Sequence, residues 1–181
     1  MKLTEAMLIS ISARMRDVKL AVFDVDGVMT DGSLVYGEDG DSIKIFNALD
    51  GHGMKMLQAS GVELAVISGR GSQALEKRAA DLGITQLFQH ADNKGKVFAQ
   101  MLQSLSLEAH QVASIGDDVV DLPILTRCGF AACVPAAPAF VRERMHYVTE
   151  AKGGHGAVRE FCEVIMMAQG TLDAALNKYL V

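Results

Sequence analysis

The chain has 181 residues, half of them apolar and 22% charged, with a net charge of −5. That length suits one domain with a sizeable core, and an acidic balance without any basic run argues against nucleic acid as a general partner. No apolar run approaches the ~20 residues that span a bilayer, and the first residues lack a signal-peptide core, so no membrane association and a cytoplasmic location are expected.

The elements alternate. Leu3, Met7, Leu8, Ile11 and Met15 lie on one helical face, predicting a leading helix or arm over residues 1–17. Leu20–Phe23 reads as a buried strand ending in Asp24-Val25-Asp26-Gly27. Leu34–Tyr36 and Ile43–Phe46, joined by turn residues Gly37 to Gly40, predict a β-hairpin within 33–46. Asp50 is expected to N-cap a helix through about Ser60 that Gly61 closes. Strand Val62–Ile67 ends in Ser68-Gly69-Arg70, and helix Ser72–Leu82 stops at Gly83. Thr85–Phe88 is a third strand, and Asn93 opens a helix carrying Val97, Phe98, Met101, Leu102 and Leu105. Gln111–Ile115 ends in Gly116-Asp117-Asp118-Val119-Val120-Asp121, with a short helix over Leu122–Thr126. Gly129–Val134 and Tyr147–Thr149 complete the strands, with a helix near 139–144 between them. Gly153-Gly154-His155-Gly156 reads as a flexible hinge, Ala157–Gln169 as a strongly apolar helix and 170–181 as a tail. The alternation predicts an α/β fold: a doubly wound, Rossmann-like parallel sheet with helices on both faces, in a single domain spanning 1–181.

In such a sheet ligands bind beyond the carboxyl ends of the strands. The polar residues fall there: Asp24 and Asp26 after the first strand, Ser68 after the second, Lys94 beginning the helix after the third, and Asp117, Asp118 and Asp121 after the fourth. Asp24 and Asp26 are two apart and point the same way. Taken alone they could mark a turn. As a close pair, one must be protonated or a cation must lie between them. Several converging carboxylates suit Mg²⁺, and a carboxylate beside that ion can attack phosphorus. A lysine and a hydroxyl would steady the transferring group, and a second carboxylic acid would carry the proton.

These segments resemble the four motifs of the haloacid dehalogenase superfamily of phosphatases, from about Lys19 onward. The small hairpin flap in place of a cap domain, FNALDGHGM at 46–54, SGR at 68–70 and GGHGAVRE at 153–160 resemble its 3-deoxy-D-manno-octulosonate 8-phosphate phosphatase branch. The resemblance implies Asp24 as nucleophile and Mg²⁺ ligand, Asp26 as general acid/base with its carbonyl on the metal, and Asp117 as a third ligand. It implies Asp121 as the acid that holds the lysine or the metal's waters, and Ser68 and Lys94 as phosphate-binding groups. Asp118 is either an outer ligand or a helix cap. Arg70 and Arg78 match candidates for meeting the carboxylate of a small acidic sugar phosphate. Leu49 departs from the branch, which often has arginine there.

The branch further implies lipopolysaccharide biosynthesis and a homotetramer in which neighbours complete each site and the tail closes over it. The apolar breadth of the helix at 157–169 suits burial by a partner. A phosphatase for sialic-acid-type nonulosonate 9-phosphates is the near alternative. A phospho-receiver signalling domain is the distant one, and it has no need of Asp26. A scaffold that has lost catalysis is disfavoured, because all the motif residues are present.

Overall fold

The computed structural model describes residues 11–38 and 42–180; most of the leading helix and the tip of the hairpin turn fall outside them. Six strands form one parallel sheet in the order β5-β4-β1-β6-β7-β8. They are β1 (Leu20–Phe23), β4 (Glu63–Ile67), β5 (Gln86–Phe88), β6 (Val112–Gly116), β7 (Phe130–Cys133) and β8 (Tyr147–Val148). A separate antiparallel pair, β2 (Val35–Tyr36) and β3 (Ser42–Ile43), makes the hairpin, with Val35 opposite Ile43.

All four residues of β1 are buried, as a strand covered on both faces requires. It pairs with β4 on one side and β6 on the other, Phe23 lying opposite Val66 and Ile115. The chain builds outward from β1 through β4 to β5, then crosses back to start again at β6. That reversal opens a crevice at the carboxyl ends of β1 and β6, the general ligand position in a doubly wound sheet.

The helices are α1 (Ala48–Ala59), α2 (Gln73–Leu82), α3 (Lys94–Leu105), α4 (Leu122–Leu125), α5 (Ala139–Arg142), α6 (Ala157–Ala168) and α7 (Leu172–Asn177), with residues 11–15 also helical. Ser72 caps α2 and Gly83 ends it in the left-handed region; Asn93 caps α3 through the Lys96 amide at 2.9 Å. Helix α1 packs on α6, and α3 on α4. Phe161 of α6 meets Phe23 of β1 edge-on at 5.7 Å and stacks near Phe130 of β7 at 6.1 Å. Each such burial contributes about 1.5–3 kcal/mol.

Three expectations are corrected. Asp50 does not cap its own helix; Asn47 does, accepting from the Leu49 amide at 2.8 Å. Asp50 lies buried and accepts instead from the amides of Arg159 at 2.8 Å and Gly156 at 3.4 Å. It thereby caps α6, whose N-cap residue is a glycine with no group of its own to offer. Gly153-Gly154 is no hinge, because it packs backbone to backbone on the loop after β1. A Cβ on Gly153 would stand 1.8 Å from the Gly27 carbonyl oxygen, and the Gly154 amide donates to Val28 O at 3.0 Å. The apolar breadth of α6 is used within the chain: Val158, Phe161, Cys162, Val164, Ile165 and Met166 are all buried in the core. The tail is partly helical, and Tyr179 packs edge-on against His52 of α1 at 5.4 Å.

Candidate active site

The loop after β1 is wound tightly. Val25 O accepts from the amides of Val28, Met29 and Thr30, and the Thr30 hydroxyl accepts from Gly32 N at 3.2 Å. Gly27 has φ +89, and a Cβ there would lie 2.1 Å from Asp117 Oδ2. The backbone conformation therefore favours glycine, and a side chain there would also displace the Asp117 carboxylate. The loop places Asp24 and Asp26 in the lining of a cavity of about 570 Å³.

Ser68, Gly69, Arg70, Lys94, Asp117 and Asp118 line the same cavity. Lys94 is buried, and its ammonium donates to Asp24 Oδ1 and Asp121 Oδ1, each at 2.5 Å. Asp121 also accepts from the Asp117 and Asp118 amides, at 3.0 and 3.2 Å, through Oδ2. Both its oxygens are thus engaged by the protein, and it braces the lysine and the loop after β6. Asp118 is exposed and caps the short 3₁₀ turn at Val119–Asp121. Ser68 is buried and its Oγ accepts from the Arg70 amide at 3.2 Å.

The charges are unbalanced. Burial, then the repulsion of Asp121, pushes Asp24 up to about 6 despite Lys94. Burial, then Asp24, Asp121 and Asp118, pushes Asp117 up to about 7. Burial opposes the Lys94 charge, but Asp24 and Asp121 outweigh it and raise its pKa. Asp24, Asp117 and Asp121 each offer an oxygen within 4.8 Å of the others. With Asp121 engaged on both oxygens, Asp24 and Asp117 are the pair left to hold a cation. A hard divalent ion fits this donor set, because it would offset both the burial and the mutual repulsion that raise the two pKa values.

Two arginines behave differently. Arg70 lies with its Nε 4.0 Å from Asp26 Oδ2 and lines the cavity. Arg78 does not line it: one of its terminal nitrogens donates to Asn47 O at 2.9 Å, and the guanidinium lies over Phe46 at 5.7 Å. Its place is between α1 and α2, bracing the start of α1. Lys44 was not anticipated. Its side chain is 3% exposed and donates to Asp26 Oδ1. Read as one residue of a β-type run, it carried no signal beyond being a lysine between two isoleucines. A second cavity, of about 610 Å³, adjoins the first and is lined by Lys44, Arg70, Tyr36, Ser72 and His90 among others.

The chain is similar to proteins of known family. The 3-deoxy-D-manno-octulosonate 8-phosphate phosphatase of Yersinia pestis is 41% identical over 90% of this chain and 87% of its own. That of Escherichia coli is 39% identical over 91% and 88%. A family model described as haloacid dehalogenase-like hydrolase matches residues 82–161. The chain belongs to the haloacid dehalogenase-like hydrolases. Among solved members of this family, a Pseudomonas syringae protein described as a probable yrbi family phosphatase is 52% identical, with a TM-score of 0.94 over 96% of this chain and 98% of that one. The Moraxella catarrhalis 3-deoxy-D-manno-octulosonate 8-phosphate phosphatase, solved with a magnesium ion, a phosphate ion and a KDO molecule, is 37% identical with a TM-score of 0.92, covering 94% and 98%.

Proposed function

We propose that the chain is a magnesium-dependent phosphomonoesterase that hydrolyses 3-deoxy-D-manno-octulosonate 8-phosphate to the free sugar acid and phosphate. The observation that carries this reading is the Asp24–Lys94–Asp121 cluster set beside Asp26 and Asp117 in one cavity, in a chain so similar to named phosphatases of that substrate. Asp24 attacks phosphorus, a P–O bond forms, and the bond to the sugar oxygen breaks to give an aspartyl phosphate. Asp26 gives its proton to that leaving oxygen and regains one from the water that opens the intermediate. Lys94 and Ser68 hold the phosphoryl oxygens. When bound, Mg²⁺ held by Asp24, Asp117 and the Asp26 carbonyl supplies positive charge against the phosphoryl group and the clustered carboxylates. Arg70 faces the acidic part of the sugar.

The enzyme acts in the cytoplasm, in lipopolysaccharide biosynthesis, as a homotetramer. Leu34, Val35, Tyr36, Ile43 and Ile45 are exposed apolar residues on and next to the hairpin strands, which supports burial by a neighbour. Phosphate release should be measured over a panel of acidic sugar phosphates and simple phosphomonoesters, with Mg²⁺ or with chelator. Turnover should be fastest on the eight-carbon substrate and abolished by chelation. A nine-carbon sugar acid phosphate turned over more efficiently would move the reading to that substrate, and turnover indifferent to chelation would overturn the mechanism.

A further inference from the structure

Lys44 inverts the usual arrangement of a surface hairpin. Its neighbours Ile43 and Ile45 are 55% and 75% exposed, while the lysine side chain is 3% exposed. Burying an ammonium is unfavourable unless it is paired and hydrogen-bonded, and Asp26 supplies that pairing. The hairpin has strands of two residues each, too short to hold a position unaided. The described Lys44–Asp26 pair therefore ties the hairpin to the loop that carries the proton donor. It also fixes the carboxylate by one oxygen. Oδ1 is bound to Lys44, whereas Oδ2 stands 4.0 Å from Arg70 Nε, beyond hydrogen-bond reach.

We propose that Lys44 is a positioning residue for Asp26, pinning Oδ1 so that Oδ2 is presented for proton transfer, and coupling the hairpin's position to the orientation of that acid. Proton transfer needs the acid within hydrogen-bond reach of the leaving oxygen, so a swinging carboxyl group, when protonated, transfers its proton less often. Lys44 also lines the second cavity, and a sugar occupying it lies against the same side chain. The inference rests on the phosphatase reading for its kinetic arm, and on geometry alone for its second arm.

The first arm compares wild type, Lys44→Met and Lys44→Arg on a small phosphomonoester such as p-nitrophenyl phosphate. Lys44→Met should lower kcat about tenfold or more with little change in KM, since Ser68 and Lys94 are untouched; Lys44→Arg should recover most of the loss. The second arm is hydrogen exchange of the amides at residues 34–36 and 43–45 in Lys44→Met, Asp26→Asn and the double variant. Each single change should speed exchange in the hairpin, and the double should add nothing further, as expected of two ends of one contact. An unchanged kcat in Lys44→Met, or hairpin exchange equal to wild type in both single variants, overturns the proposal. A wild-type protein that releases phosphate from no substrate overturns the phosphatase reading instead, and the exchange arm still decides the role of Lys44.

Discussion

Replacing Gly153 with alanine tests how the active-site loop is held. The residue lies between β8 and α6, and its φ is outside the left-handed region, so alanine suffers no backbone strain there. The effect is purely one of space. The new Cβ would stand 1.8 Å from Gly27 O, 2.5 Å from Gly27 C and 2.9 Å from Thr30 O, all backbone atoms that cannot rotate aside. Reaching even a tight 3.0 Å requires the two segments to part by about 1.2 Å, and a misplacement of about 1 Å in a catalytic array can cost ~10²-fold in rate. That is about 2.7 kcal/mol on the barrier. Overpacking of this kind costs typically ~1–3 kcal/mol of stability, or a fall in Tm of roughly 2–12 °C at this chain length. The assay is kcat for phosphate release beside Tm from circular dichroism. Gly61→Ala is the control: its φ is +100 and nothing lies within 4 Å, so it should lose ~1–2 kcal/mol of stability to strain and keep its rate. If Gly153→Ala lowered Tm but kept wild-type kcat, the idea that this glycine sets the position of Asp26 would be wrong.

Asp24→Asn should abolish phosphate release with the fold intact by circular dichroism; substantial residual turnover would remove Asp24 as nucleophile. Asp26→Asn should slow turnover by roughly 10²–10⁴, since a general acid–base group serves both steps, and full activity would exclude the two-step scheme. Stabilisation by Mg²⁺ should depend on pH. Asp24 and Asp117 have folded-state pKa values raised to about 6 and about 7 from an ordinary 3.8, so the metal-free folded chain retains protons that the unfolded chain has released. Their contribution is favourable at low pH and lost as pH rises through about 6 and 7. The Tm increase on adding saturating Mg²⁺ should therefore be larger at pH 8 than at pH 5, and an equal or smaller increase at pH 8 would contradict it. Light scattering at micromolar concentration should give a tetramer mass; a monomer would leave the apolar hairpin surface unaccounted for.

What could be read from the chain followed from signals that are local. A run such as Leu20–Phe23 is apolar at every position because both faces are covered, and the rule that ligands gather at strand ends brought Asp24, Asp26, Ser68, Lys94 and Asp117 to one cavity. The misreadings share a different cause: each turned on a partner far away in sequence. Asp50 has the look of a cap for the helix it begins, but its amide donors are 106 and 109 residues on. Gly153-Gly154 has the composition of a flexible link, yet glycine permits close approach as readily as it permits motion, and here Gly27 O occupies the space a side chain would need. Lys44 was invisible for a related reason. Strand alternation puts either the lysine or its two isoleucines inward, and hydrophobicity alone favours the isoleucines. The outcome was decided by Asp26, a half-buried acid 18 residues earlier that gives the ammonium a partner the isoleucines could not use. In the same way α6, apolar on more than one side, needed no second subunit to bury it once β1, β7 and α1 were assembled around Phe161 and its neighbours. Leu34, Val35, Tyr36, Ile43 and Ile45 stay exposed on and next to the hairpin strands while the Lys44 side chain is buried against Asp26.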